Sequence, residues 1–340
     1  MPRLCSTLFL ACALLLTPTA RAEGPWRVGK HLSGLRTRDD TRVALYRYVP
    51  DGGPRASRGR VLLFPDVGMT HRVYDVFGRG LAPFLMRRGF EVFVVEYRGA
   101  GASEVPLGGF DFEALVEGDA EAAFAQASSG HERIFLGGLG LGGTIAFMLA
   151  GRHPEQVSGV VGLQAAITLD VPNEPVAEAL GRLEEAGPWI DLSALLQRPL
   201  FYGRSWFEVM LASDRSISAH ELAELRRLTV SRVPRNLVAQ LGGFMKAGAI
   251  TVSGEDVRAI AGRYPGPSLL LFAPRDNWIH PEFSTPLRDV LPGRTHVRVL
   301  SLVEGALLDY GHLGMLFGRW SRLDVYDPVL RFLKAEARRQ

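Results

Sequence analysis

The sequence predicts an α/β fold, a mostly parallel sheet with helices on both faces, interrupted once by an inserted helical cap. Three features point to it. Between residues 60 and 163, short continuous apolar runs alternate with helical patterns, which is how strands buried on both faces read. From about Thr168 to Pro267 the alternation stops. There the chain is helical in pattern and dense in breakers, with Pro172, Pro175, Pro188, Pro199 and Pro234 among apolar groups such as Leu195, Trp206, Phe207 and Met210. At Ser268 the alternation resumes. With 340 residues, 47% hydrophobic and 22% charged, there is material for one large domain. Neither half of the sheet closes alone, so the expected organisation is a core of residues 23–167 and 268–340 around a cap of 168–267.

In chain order, the N-terminus comes first. Arg3 precedes an almost unbroken apolar run from Leu4 to Leu16, and Ala20-Arg21-Ala22 places small side chains at a peptidase site. A Sec-type signal peptide of residues 1–22 is expected, hence export to a periplasm or the medium. An uncleaved anchor is the alternative, although the run is shorter than the roughly 20 residues of a spanning helix. Cys12 after Leu10-Ala11 suggests a lipoprotein, but apolar sequence continues past it. No stable membrane span is expected after cleavage.

Removing Arg3 and Arg21 from the 39 basic residues leaves 37 against 36 acidic ones, so the overall basicity is weak. The basic residues are scattered without runs or interleaved aromatics, which argues against nucleic acid as a partner. Both cysteines, Cys5 and Cys12, fall inside the expected signal, leaving no disulfide, thiolate nucleophile or cysteine metal ligand in the mature chain. No histidine pair has helical metal-ligand spacing, and no internal repeat is present. Neither a metal nor a cofactor is expected, and no motif names a protein partner.

The runs 32–38 and 42–48, split by Asp39-Asp40-Thr41, read as an antiparallel hairpin at a sheet edge. Buried strands follow at 61–64, 90–97, 133–136 and 157–163, separated by helices at 81–88, about 111–127 and about 141–152. After the cap come strands at 268–272 and 296–300 and a helix from about 313 to 336.

The segment expected to carry chemistry is Phe135-Leu136-Gly137-Gly138-Leu139-Gly140-Leu141-Gly142-Gly143, a strand that turns at once into a helix. This pattern resembles a nucleophile elbow, in which the middle residue occupies a strained turn and the residues two away must be small; Gly138 and Gly142 satisfy that. Gly140 then stands at the nucleophile position and carries no reacting atom.

On these residues the chain from about Arg60 onward resembles an α/β-hydrolase of the esterase/lipase type, nearest to acid-lipase-like and polyhydroxyalkanoate-synthase-like members. Residues 61–68, Val-Leu-Leu-Phe-Pro-Asp-Val-Gly, match the family's oxyanion-hole strand and loop, and residues 96–103, Glu-Tyr-Arg-Gly-Ala-Gly-Ala-Ser, resemble its Asp-x-Arg-Gly-x-Gly-x-Ser segment. The resemblance implies Asp276, after the strand ending at Phe272, as the acid, and His312, in Tyr310-Gly311-His312-Leu313-Gly314, as the base. It also implies the backbone N–H groups of Val67 and Leu141 as the oxyanion hole. The order 140, 276, 312 is the one this fold requires. A lone loop Asp is most often a turn or helix cap, and position decides otherwise here.

Two departures stand beside Gly140. Pro65-Asp66 replaces the usual His-Gly or Pro-Gly pair and puts a carboxylate beside the oxyanion position, where like charge opposes the transition state. Gly314 replaces an Asp that acid lipases tend to carry. Ser103 and Thr144 are the nearest substitute hydroxyls, Ser103 reading as structural and Thr144 as inward-packing. Two readings follow. One is a catalytically impaired or non-catalytic protein with an apolar pocket for a small apolar or acyl molecule. The other is an active ester hydrolase using an unusual nucleophile or a water activated by Asp276 and His312.

Overall fold

The computed structural model describes residues 29–131, 133–169, 187–198, 204–211 and 217–339. The expected signal segment lies outside these residues, as do Pro172, Pro175 and Pro199 of the expected cap.

Eight strands form one sheet: β1 (Gly29–Arg36), β2 (Arg42–Val49), β3 (Arg60–Phe64), β4 (Glu91–Glu96), β5 (Ile134–Leu139), β6 (Val157–Leu163), β7 (Ser268–Phe272) and β8 (Thr295–Val299). Their spatial order is β1-β2-β4-β3-β5-β6-β7-β8. The β1–β2 hairpin is antiparallel, as is β2 against β4, and every later neighbour is parallel. Strands β3 to β7 are buried at every position, which explains their continuous apolar runs. Edge strand β8 is half exposed and carries His296 and Arg298. Phe64 pairs with Gly138 across β3 and β5, so the segments leaving these two strands emerge side by side.

The helices covering the sheet include α1 (Leu81–Met86), α2 (Glu121–Ser128) and α3 (Leu141–Arg152). A wide π-helical turn, Ala114–Ala120, leads into α2. Helix α3 is buried from Leu141 through Gly151, in keeping with a sequence apolar on all sides.

Among the described residues between β6 and β7, helices are the longest elements, with α4 (Ala219–Thr229) started by a capping box of Ser218 and Glu221. Next comes α5 (Arg235–Ala247), closed by Gly248 in the left-handed conformation, φ 65°. Two short strand pairs also lie here, Trp189–Asp191 with Arg232–Pro234 and Thr251–Val252 with Glu255–Asp256. Strands of two or three residues have too little length to show a period, so the helical reading of this stretch missed them. Helix α6 (Val257–Ala261) packs on α3.

The single helix expected from 313 to 336 is divided. A short turn, Gly314–Phe317, stops at Gly318, whose backbone is extended (φ −58°, ψ 143°), and the hydroxyl of Ser321 donates to the carbonyl of Gly314. A π-helical turn, Arg322–Tyr326, then leads into α7 (Asp327–Ala337). The sheet, its helices and the segment after β6 share one hydrophobic core.

Candidate active site

The turn between β5 and α3 is built as the sequence suggests. Gly140 adopts φ 56°, ψ −126°, a conformation that L side chains rarely take and glycine takes without strain. A Cβ on Gly138 would overlap the backbone of Gly142, and one on Gly142 would overlap the carbonyls of Phe64 and Pro65. Small residues on both sides are therefore a steric requirement, because α3 starts directly against β5 and the end of β3.

What fills the space above Gly140 is the carboxylate of Asp66. A Cβ built on Gly140 would lie 2.5 Å from Asp66 Cγ and 2.6 Å from each of its oxygens. Asp66 Oδ1 accepts the N–H of Val67 and the N–H of Leu141, each at 2.8 Å. The two positions expected to form an oxyanion hole thus do converge on one point, and an oxygen of this chain is already there. Leu141 opens α3, so the carboxylate also lies at the positive end of a helix dipole. The loop is tied down from outside: Ser231 N–H donates to the Gly68 carbonyl and Thr70 N–H to that of Thr229.

Asp276 and His312 meet beside it. His312 Nδ1 lies 2.7 Å from Asp276 Oδ2, while Asp276 Oδ1 accepts the N–H groups of Trp278 and Ile279 at 2.9 and 2.8 Å. On its other side, His312 Nε2 is 3.1 Å from Asp66 Oδ2. That is an ion-pair distance, but the Nε2 proton is not aimed along it as in a regular hydrogen bond. Trp278 Nε1 donates to the same Oδ2 at 3.0 Å. All three ionisable groups are buried, His312 completely and each aspartate to 1% exposure. Burial by itself lowers the pKa of His312. The two flanking carboxylates, Asp276 foremost, outweigh that and raise it to about 10. At neutral pH the imidazole is a cation held between two aspartates.

The other segments singled out in the sequence are structural. Glu96 binds His71, its Oε1 lying 2.6 Å from Nδ1, and accepts the N–H of Ala102 at 2.7 Å. Arg98 donates to Asp119 at 2.8 Å and to Asp39 at 2.6 Å. Ser103 Oγ donates to the Glu96 carbonyl and accepts the N–H of Ala44 at 2.8 Å. Thr144 Oγ1 donates to the Ala166 carbonyl. Neither hydroxyl takes the place that Gly140 leaves empty; Asp66 does. Trp278 went unassigned in the sequence, where its one signal was its place two residues after Asp276.

Asp66 and Trp278 border a small cavity walled by Leu141, Val233, Leu237 and Ile279, with about 50 Å³ open to the centre of a water-sized sphere. Its lining is almost wholly apolar. Among the described residues no cluster of His, Cys, Asp and Glu is disposed to hold a metal, and no helix is long and apolar enough to cross a membrane.

A strand–turn–helix elbow, a strand-end Asp and a loop His gathered at the carboxyl edge of a parallel sheet define a protein of α/β-hydrolase type. The chain belongs to the alpha/beta hydrolase fold family, whose profile matches residues 68–299. Its fold is similar to that of an esterase from Exiguobacterium antarcticum, with TM-score 0.66 and 15% identity over 89% of this chain and 99% of that one. An enol-lactonase from Burkholderia xenovorans LB400 aligns with TM-score 0.62 and 18% identity, covering 88% and 99%. A monoacylglycerol lipase from Paleococcus ferrophilus gives 0.56 and 21%, covering 86% and 99%. No curated relative matches the sequence itself.

Proposed function

We propose that this chain is an exported α/β-hydrolase-fold protein that is impaired as an elbow-type esterase and keeps, under its cap, a pocket for a small apolar molecule. One observation carries the reading: the Asp66 carboxylate fills both the space of a nucleophile side chain at position 140 and the N–H pair of Val67 and Leu141. Acyl transfer needs those donors about 2.7–3.1 Å from the substrate's oxyanion. Here they hold an anion already, and a second negative charge beside it is repelled. A base is also wanting, because His312 carries its proton at neutral pH and cannot accept another.

The test is chemical. The purified protein should neither label with a fluorophosphonate nor turn over nitrophenyl esters of short or long acyl chains. Ester hydrolysis abolished by His312→Ala would overturn the reading; hydrolysis that survives this change does not arise from the site. Export is checked by sequencing the N-terminus of the protein from a periplasmic or culture fraction, where Glu23 is expected first.

A further inference from the structure

We infer that the groove bounded by the Phe77 turn, α1, α4 and the segment from Leu316 to Tyr326 docks this protein on an anionic lipid bilayer. Apolar tips around it enter the bilayer surface, and its arginines hold the lipid phosphates. The groove shares no lining residue with the cavity at Asp66, so the inference is independent of how that site is read.

An unusual turn marks the place. Val76 and Arg79 exchange both backbone hydrogen bonds, at 2.7 and 2.9 Å, around the two residues Phe77 and Gly78. Both of these have positive φ, 52° and 75°, as in a type I′ turn. Such a turn favours Asn, Asp or Gly at its first central position, and an aromatic residue there is strained. Packing within the molecule does little to offset the strain, because Phe77 is 72% exposed. The turn holds an aromatic ring out in water.

Other apolar groups gather around it. The groove has about 940 Å³ open to the centre of a water-sized sphere, and Phe84, Leu225, Leu316 and Phe317 line it. Trp320 and Leu323 stand exposed beside its Arg319 and Arg322. The loop carrying Leu302, Val303 and Leu307 is tied to the same π-helical turn, the Leu307 N–H donating to Asp324 Oδ2 at 2.7 Å, and Val303 is 93% exposed. Six of the ten large apolar side chains that stand exposed among the described residues belong to these three segments. Exposed apolar groups scattered singly are ordinary on a protein, whereas a cluster marks an interaction face.

Charge selects the partner. Arg79, Arg87, Arg319 and Arg322 line the groove. Among the described residues Arg79, Arg87 and Arg322 make no ion pair, and Arg87 donates only to the Gly78 carbonyl, at 3.3 Å. The acids that α4 contributes are already engaged. Glu221 is bound to Ser218 in the capping box, and Glu224 pairs with Arg227 at 2.8 Å. The groove therefore presents uncompensated guanidinium groups, which suit phosphate oxygens. A small soluble anion would match these arginines and leave Phe77 and Val303 in water. A bilayer of anionic lipid takes both, the apolar tips at the acyl boundary and the cations among the headgroups.

Vesicle sedimentation is the test. The purified protein beginning at Glu23 is spun with vesicles of mixed phosphatidylglycerol and phosphatidylcholine, and with vesicles of phosphatidylcholine alone. Preferential binding to the anionic vesicles is expected, weakened at about 1 M salt, where the screening length falls to roughly 3 Å. Phe77→Gly places at a positive φ the residue that suits it, so the fold is kept while the ring is lost. It should lower the partition coefficient roughly 10-fold. Val303→Asp, at a side chain with almost no contacts to lose, should lower it in the same direction. Arg79→Gln with Arg322→Gln should lower it roughly 30-fold, about fivefold for each cation removed. All three variants should keep the melting temperature of the parent. Equal binding to both kinds of vesicle, or binding unchanged in the three variants, would overturn the inference. Absence of vesicle binding would overturn it too; if monomeric dodecanoate then raised the melting temperature, the groove would belong to a soluble amphiphile instead.

Discussion

Asp66 and Gly140 occupy one volume between them: the carboxyl carbon of the first lies 2.5 Å from where the second would place a Cβ. No side chain can be added at 140 unless the one at 66 yields. Gly140→Ser alone should therefore fail to create an esterase. It should also destabilise the fold by roughly 2 kcal/mol or more, from the positive φ and the overlap together. Asp66→Gly combined with Gly140→Ser removes the overlap and frees both N–H groups, and this double variant should react with a fluorophosphonate. Equal labelling of the single variant would mean that Asp66 swings aside at little cost.

The proton on His312 should be visible in the pH dependence of stability. The group's value rises from the ordinary 6.5 to about 10 in the folded protein. Its stabilising contribution is complete below 6.5 and is lost as the pH climbs through about 10, because only the folded state holds the proton in that window. Denaturant melts should show stability falling across that interval. In Asp66→Asn, one flanking charge is gone, so the imidazole should titrate at lower pH by NMR. An unchanged titration would show that Asp276 alone sets it.

Gly138→Ala is a test of the elbow that involves no chemistry. Its methyl group would meet the backbone of Gly142 and Gly143, which neither β5 nor α3 can move without breaking strand or helix bonds. A loss of about 3 kcal/mol or more is expected in denaturant melts. A change within about 0.5 kcal/mol would show that the strand–helix contact is slack.

Trp278→Phe keeps an aromatic side chain but replaces the indole by a smaller ring, and with it removes the N–H that donates to Asp66 Oδ2 at 3.0 Å. A buried carboxylate losing one donor should cost about 1–3 kcal/mol. The hydrogen-bond part of the cost should vanish in an Asp66→Ala background while the loss of ring volume remains, and a double-mutant cycle measures that coupling.

Much of this architecture was legible in the sequence because parallel strands buried on both faces leave continuous apolar runs that local pattern can find. The strands from Arg60 to Leu163 and from Ser268 onward are of this kind. The elbow was legible from the spacing of Gly138, Gly140 and Gly142, and the meeting of Asp276 with His312 from their places after strands of a known order. Asp66 was visible as a foreign charge, but its seat over Gly140 was not, since that depends on the lateral pairing of two strands about 75 residues apart in their loops. Trp278 was hidden for a similar reason. Its contact with Asp66 spans 212 residues and has no local signature. The division of the last helix at Gly318 escaped because an apolar pattern continues through it.

The pairing of Phe64 with Gly138 puts Asp66 and Gly140 each two residues beyond partners that lie side by side. Neighbouring strands are separated by about 4.8 Å, a gap that one short side chain can cross. A parallel sheet therefore offers the same point in space to residues of two different loops. A point left empty by one loop can be filled from the other, so an empty position in a motif is a reason to inspect the adjoining strand.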